Sequence, residues 1–522
     1  MEPVDQGCRI LGLPPHWVHE RERRHRCITR YGQMDIPGWR PWNVHTDCIC
    51  NEYVGLRNRV IGVVPKPSSQ AVLECRSIAR KIARRMHRTG QMDLDRVPAV
   101  YTGRKRAKYE NAVASLKVQL AQRRDAALNT FVKCERTDFR ARSNPDPRVI
   151  QFRNARYTAE LISYLRPMEH QLYNTHGDES FTLLPPSRCI AKGLNLFTRA
   201  ELFVNVKLAR FAHPVTFSLD CSRWDKHVSR EMLHNVEHMF YTELCSDTRL
   251  KELLAYQLRS FGYTNSGIKY VVDGRRCSGD ANTALGNCLL ALVFCARAMQ
   301  RSGVVKWDCL VDGDDTVVII EEEDFGKLDR LSDYYLECGQ VLKIENVNRS
   351  GQPEGILFCQ SKPIFADGRW KFVRNPHAVM AKCTTGIRYY NEAGSVQRVY
   401  YTVGQCELAM QQGVPVLQAF ALGMMRNGDS KGHPGMESRQ LEQVLKMFDG
   451  DLSRIKPRPV TPEARQSFHR AYGIDPCEQR RLEAILDAWV VDWSAPRLTA
   501  PEWVNDGAGR LLPEPVEAWC LE

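Results

Sequence analysis

Three short polar segments, each set in apolar surroundings, constrain this chain more than its bulk composition does. Val304 to Ile320 reads as strand, tight turn, strand, with Gly313-Asp314 at the turn. The tip, Val311-Asp-Gly-Asp-Asp-Thr316, carries adjacent carboxylates, and Gly313 lets the backbone turn sharply. Pro214-Val-Thr-Phe-Ser-Leu-Asp220 reads as a strand ending in a carboxylate, and it runs on into Cys-Ser-Arg-Trp-Asp225. Between these lies Cys277-Ser-Gly-Asp-Ala-Asn-Thr-Ala-Leu-Gly-Asn287. Its Ser-Gly pair suits a flexible loop, and Thr283 and Asn287, four apart, share one helix face. Taken singly, each piece has an ordinary explanation: an acidic surface turn, a helix N-terminus capped by Asp and Ser, a polar helix start. Taken in order, they bring carboxylates from separate segments toward one place. Such oxygens suit hard divalent cations. Phosphoryl transfer to a 3′-hydroxyl needs two of these, about 3.5–4 Å apart.

The 522 residues are enough for one large multi-lobed enzyme or about three ordinary domains. A hydrophobic fraction of 43% with 26% charged residues argues against disorder. Lys and Arg exceed Asp and Glu by 73 − 61 = 12, which points to a polyanionic partner or to a merely basic surface. The 19 cysteines have no small-domain disulfide spacing, and several, such as Cys288 and Cys295, sit in apolar runs. Free buried thiols in a reducing compartment fit them best. The polar, basic N-terminus lacks a signal-peptide core, and no run reaches the roughly 18 apolar residues that span a bilayer. Cys8, His16, His19, His25, Cys27, His45, Cys48 and Cys50 crowd the first 50 residues. Without paired C-x-x-C spacing they read as packing or loop ahead of a zinc site.

Residues 71–88 read as a basic amphipathic helix, with Ile78, Ile82 and Met86 on one face. Its arginines suit RNA, an anionic membrane or a solvated face. A second helical pattern runs from about 108 to 129. Met232, Leu233, Val236, Met239 and Phe240 mark one face of a third helix, starting near Ser229. Residues 283–300 form a strongly apolar helix, stopped near Gly303. After about 375 the pattern is mostly helical. Asp475-Pro-Cys-Glu478 has an N-cap, a Pro at the first helical position and a capping-box Glu.

The three polar segments together resemble the palm of positive-strand RNA virus polymerases of the tombusvirus and carmovirus group and its umbravirus-like relatives. In that group the motifs look like D-x-S-R-x-D-x-H-V, S-G-D-x-N-T-x-L-G-N and D-G-D-D, and this chain carries all three nearly complete. Flanking segments resemble the same group. They include Tyr101-Thr-Gly-Arg-Lys-Arg106, Phe131-Val-Lys-Cys-Glu-Arg136, Pro147-Arg-Val-Ile-Gln-Phe-Arg-Asn-Ala-Arg156 and Leu165-Arg-Pro-Met-Glu169. Leu342-Lys-Ile-Glu345, Phe358-Cys-Gln-Ser361 and Gly473-Ile-Asp-Pro476 extend it, so that it runs from about residue 60 to about 490.

The resemblance implies an α+β, right-hand fold of fingers, palm and thumb, with a short antiparallel palm sheet. It implies an N-terminal extension over 1–70, fingers over 71–210 with part of 241–277, a palm over 211–370, and a mostly helical thumb and C-terminal region over 371–522. The implied activity is RNA-directed RNA synthesis with Mg²⁺, or Mn²⁺ in its place. Asp220 and Asp314 would be the principal metal ligands, with Asp315 assisting. Asp225 and Asn287 would read the ribose 2′-hydroxyl, and Ser278, Gly279 and Thr283 would position template and nucleotide. Lys133, Arg148, Arg153 and Arg156 would line the path of the NTP, where fixed cations neutralise a triphosphate. Lys343 would protonate pyrophosphate. Asp312 would cap the turn, and Asp280 would orient Asp225 or Arg223. The implied partners are RNA template and product, NTPs, and host membranes reached through an upstream or auxiliary viral replication protein. The implied location is the host cytoplasm, at membrane-associated replication sites. A reverse transcriptase uses similar carboxylates but excludes the 2′-hydroxyl, which the pair Asp225 and Asn287 argues against. A non-catalytic basic RNA-binding protein has no need of carboxylates clustered on a hairpin tip.

Overall fold

The computed structural model describes residues 4–14, 28–30, 36, 44–138, 145–386, 395–432, 444, 446–448, 451–494, 498–500, 504–505 and 511–512. Two sheets organise it. The first is built from β1 (Arg9–Gly12), β2 (Leu128–Val132) and β3 (Val149–Phe152). The second takes its central strand from β4 (Pro214–Cys221). The first sheet is completed by β5 (Arg259–Thr264) and β6 (Lys269–Asp273). The second is completed by β7 (Trp307–Asp312), β8 (Asp315–Glu321) and β9 (Leu342–Asn348). The strand orders are β1-β6-β5-β2-β3 and β9-β4-β8-β7. Every pairing is antiparallel except β2 with β5.

The β4-β8-β7 part of the second sheet is covered on both faces, so these strands are apolar almost throughout, whereas β9 at the edge is mostly exposed. Val215, Phe217 and Leu219 of β4 join Val318 and Ile320 of β8 in the main core. Leu310, Val317 and Ile319 point the other way, to a cluster with Phe203, Phe358 and Phe372. Against the main-core side lies a long helix, Thr283–Ser302, ended by Gly303 in the left-handed conformation (φ 68°). Its residues from Leu285 to Met299 are all buried. By length and composition it is the one helix among the described residues that could cross a membrane. In this fold, 83% of its apolar window is core.

The described parts of the stretch expected as an N-terminal extension pack against the rest of the fold. β1 is an edge strand of the five-stranded sheet, and helix Ile49–Leu56 packs beneath that sheet with Leu128, Val149, Tyr270 and Val272. His16, His19, His25 and Cys27 lie outside the described residues. Among the described residues the cysteines are thiols and mostly buried, and no metal cluster of His, Cys, Asp and Glu is formed. The basic helix spans Ser69–Ala83, with Ile78 and Ile82 in the core. The second helix spans Gly103–Val118, not 108–129. After it, Gln122 and Asp125 cap a short turn, and Leu128 already belongs to β2. Past residue 375 the helices Ser395–Gln411, Leu417–Asn427, Pro462–Tyr472 and Pro476–Ala488 share a separate core around Phe420, Phe468 and Trp489. Asp475 caps the last of these as expected, but Glu478 turns to Arg481 instead of closing a capping box.

Glu52 is fully buried under the five-stranded sheet, where its carboxyl accepts the Ser266 N–H. Burial pushes its pKa up from the ordinary 4.5 to about 7. The folded chain therefore keeps a proton that the unfolded chain has released. The stability this contributes is full below about pH 4.5 and is lost as pH rises through 7. Urea unfolding at pH 5 and pH 8 should show about 2–3 kcal/mol of that difference removed by Glu52→Gln. An undiminished pH dependence in the variant contradicts the assignment.

Candidate active site

The carboxylates converge because of strand register. β4 pairs with β8 as far as Leu219–Thr316, so Asp220 and Asp315 stand at the same end of neighbouring strands. Asp312 and Asp315 close the β7–β8 hairpin, with Gly313 (φ 73°) and Asp314 as its two-residue turn. The turn is tied down behind: the Gly313 N–H donates to Cys288 Sγ at 3.2 Å. Beside it, residues 189–191 run parallel to β7, exchanging backbone hydrogen bonds with Val311. Asp220, Asp225 and Asp314 thereby line one cleft of about 420 Å³. Burial pushes the Asp314 carboxyl up, and the charge of Asp220 adds to this against the pull of Arg148. Asp225 is pushed up to about 6 by burial and by Asp314, opposed by Arg276 and the Asn287 amide.

Past Asp220 the chain leaves β4 through Arg223 in the left-handed region (φ 51°) and enters a short helix, Trp224–His227, that carries Asp225. Asp225 does not cap the next helix. Ser229 does so itself, accepting the Met232 N–H at 3.2 Å. Asp225 instead accepts the Asn287 amide at 3.2 Å. Ser278 and Thr283 share the same cleft wall. Gly279 lies behind that wall. Its N–H donates to the Gln151 carbonyl at 2.8 Å, and a Cβ there would meet the same oxygen at 2.5 Å. Only glycine lets the loop lie this close to the free edge of β3.

The basic segment divides. Lys133 and Arg148 line the cleft, and their charges meet at Glu135, at 2.6 and 3.3 Å. Arg153 and Arg156 do not line it. The Arg153 guanidinium is buried on Asp280 (2.6 Å) and also donates to Ser260 and to the Ala126 carbonyl. Asp280 is thus paired with Arg153 rather than with Arg223 or Asp225. Arg156 caps the C-terminal end of helix Gly103–Val118, donating to the carbonyls of Gln119 (2.6 Å) and Leu120 (3.2 Å). Asp312 does not cap the turn; it is held by Lys192 (2.5 Å) and Arg199 (2.9 Å). Asp315 lies outside the cleft lining, pushed up to about 6 by burial and by Asp314. Lys343 is also outside it, exposed and directly opposite Asp220 in the β4–β9 pairing, which puts both side chains on one sheet face. Sequence reasoning missed Arg59 and Arg276, which also line the cleft. Arg276 stands two residues before Ser278, so its position was a readable signal, whereas Arg59 arrives from the N-terminal region with no such marker.

Among the described residues no three His, Cys, Asp or Glu side chains form a ready cage for a metal. Asp220 and Asp314 instead offer hard oxygens from two segments into open space. That suits a cation such as Mg²⁺, which uses one or two carboxylates and completes its shell with water and substrate phosphate. A larger depression, about 870 Å³, lies at the far end of the same sheet, at Pro214 and Glu321. Its carboxylates Glu321, Glu322 and Asp324 are already paired with Lys306, Arg349 and Lys327. That leaves Glu323 as a single further acid in its lining, not the convergent pair that a cation site requires.

A family model described as viral RNA dependent RNA polymerase matches residues 22–494. The chain belongs to this family. Similar proteins include the RNA-directed RNA polymerase of Groundnut rosette virus (strain MC1), 33% identical over 460 residues, covering 85% of this chain and 52% of the relative. That of Melon necrotic spot virus is 33% identical over 502 residues, covering 88% and 60%. That of Panicum mosaic virus (strain United States/Kansas 109S) is 34% identical over 438 residues, covering 82% and 42%. The chain thus spans about half the length of these curated relatives. The family's use of divalent metal ions agrees with the donor set of the cleft.

The two halves of the basic segment should separate by experiment. Arg148→Ala should raise the KM for NTP severalfold with little loss of stability. Arg153→Ala leaves Asp280 buried without its cation and should cost about 3–5 kcal/mol in urea unfolding. A stable Arg153→Ala protein with a raised KM returns that residue to the nucleotide path.

Proposed function

We propose that the chain synthesises RNA on an RNA template, joining NTPs to a growing 3′ end. The observation that carries this is the convergence of Asp220 and Asp314, from different segments, in one cleft with the Asp225–Asn287 pair and with Lys133 and Arg148. In this reading the four-stranded sheet and its surroundings, residues 211–370, are the palm of a right-hand polymerase. Residues 71–210, with part of 241–277, are the fingers, and the helices after 371 are the thumb.

Asp220 and Asp314, with Asp315 assisting, hold Mg²⁺, or Mn²⁺ in its place. When bound, the cations stabilise the attacking and leaving oxygens of the transfer. The protein's own groups do the rest. Lys133 and Arg148 release Glu135 to neutralise the triphosphate, a fixed-charge role suited to forked and point donors. Ser278 and Thr283 orient the nucleotide against template. Asp225 and Asn287 accept and donate to the ribose 2′-hydroxyl. Lys343, facing Asp220 across the strand pair, supplies the proton to pyrophosphate.

Asp220→Ala and Asp314→Ala should each abolish template-directed elongation with Mg²⁺ while urea unfolding stays close to wild type. Near-normal elongation in either one refutes the site. Sugar choice is the sharper measurement. A site built to hydrogen-bond a hydroxyl disfavours the analogue lacking it. Asp225→Ala should therefore lower NTP-over-dNTP selectivity on the order of tenfold, mainly by slowing NTP use. Unaltered selectivity in both Asp225→Ala and Asn287→Ala removes the ribose role and favours a reverse transcriptase.

A further inference from the structure

Behind the Asp225–Asn287 pair lies a buried chain of hydrogen bonds that the proposed chemistry leaves unused. Asn287 Nδ2 donates to Asp225, and Asn287 Oδ1 accepts from Arg276 Nε at 2.9 Å. Both outer nitrogens of Arg276 donate to Glu237, with Nη1 to Oε1 at 3.1 Å. Glu237 is held in turn by the Tyr241 hydroxyl (2.9 Å) and by Asn282 Nδ2 (2.6 Å). Glu237 and Asn282 are 0% exposed, Arg276 3% and Asn287 4%. The Arg276 N–H also donates to the Asp225 carbonyl at 2.9 Å, so this arginine touches both members of the pair.

A carboxamide can sit in two orientations, and only one presents a donor to a carboxylate. A guanidinium has donors and no acceptor. Placed against Asn287, Arg276 takes only the oxygen and so turns the NH₂ toward Asp225. The guanidinium itself needs a fixed position, which a bidentate carboxylate supplies. We propose that the Glu237–Arg276 ion pair is the positioning element of ribose selection: Glu237 fixes the guanidinium, the guanidinium fixes the Asn287 amide, and the amide fixes Asp225. This rests on the reading of Asp225 and Asn287 as the ribose-selective pair.

Two further features agree with it. A Cβ at Gly286 would lie 2.3 Å from Glu237 Oε1 and 2.4 Å from Arg276 Nη2, so glycine just before Asn287 leaves room for the ion pair. Glu237 also sits in a π-helical stretch, Leu233–His238, inside an otherwise α-helical run, a local insertion that redirects a side chain. A purely structural pair would be matched or bettered by apolar residues of the same volume. This one ends on the cleft, where Arg276 is part of the wall.

The test is NTP-over-dNTP selectivity on one RNA template with the full chain, measured for Glu237→Gln, Arg276→Lys, Asn287→Ala and Asp225→Ala beside urea unfolding. Arg276→Lys keeps a buried cation against Glu237 but loses the fork that reaches Asn287 as well. It should fold, and its selectivity should fall about tenfold through slower NTP use, with dNTP use unchanged. Glu237→Gln should do the same. Adding Glu237→Gln to Asn287→Ala should cause no further loss of selectivity, because the two act in series. Wild-type selectivity in Arg276→Lys, with Asp225→Ala impaired, overturns the inference and leaves the ribose reading standing. Wild-type selectivity in Asp225→Ala as well overturns both. If Glu237→Gln fails to fold, Arg276→Lys decides alone.

Discussion

Asp220, Asp225 and Asp314 repel one another across a single cleft, and the surrounding fold holds them there against that repulsion. Like charges at short range raise each other's pKa and oppose closure of the structure. The opposing force is the burial of strands β4, β8 and β7 on both faces, with Leu310, Val317 and Ile319 on one side and Val215, Phe217 and Leu219 on the other. Fixed register in the sheet converts that burial into position: a one-residue slip of β4 against β8 would turn Asp220 to the opposite face. A positive charge that entered the cleft would relieve the same repulsion.

The positive charge around the cleft is similarly divided by its surroundings. Lys133 and Arg148 share one carboxylate, Glu135, and keep 35% and 54% of their side-chain surface in water. They can leave it at little cost, because exposed pairs contribute about 0–1 kcal/mol. Arg153 has only 1% of its side chain exposed and cannot leave Asp280 without stranding a buried charge. Arginines in one sequence segment thus divide between the cleft wall and the scaffold, so the excess of 12 positive charges is not all free at the surface.

Much of the site was legible in the sequence because its signals are local. The hairpin needs Gly313 at a turn, the apolar helix stops where Gly303 permits a left-handed residue, and β4 shows its alternation within eight residues. What failed depends on partners distant in the chain. Arg153 reads like Arg148 until β2, β3 and β5 pair and bring Ser260 and Asp280 onto it. Asp312 reads as a turn cap until Lys192 and Arg199 arrive from about 120 and 113 residues upstream. The helix expected to continue to 129 stops at Val118, because Leu128 and its neighbours are taken by a sheet in which β2 pairs with β5, more than 100 residues onward. The first 70 residues look weakly patterned since β1 is a single edge strand, with one neighbour and few alternating positions to reveal it.

Asn287 and Cys288 are consecutive residues near the start of one buried helix. The first reaches Asp225, and the second accepts the backbone N–H of Gly313 in the hairpin turn. The helix is enclosed over nearly its whole length, so it shifts as a rod or stays put. Any displacement that loosens Asn287 from Asp225 also drags the turn bearing Asp314. Asp225 and the turn that bears Asp314 are therefore geared to a single shaft, and a shift at one registers at the other.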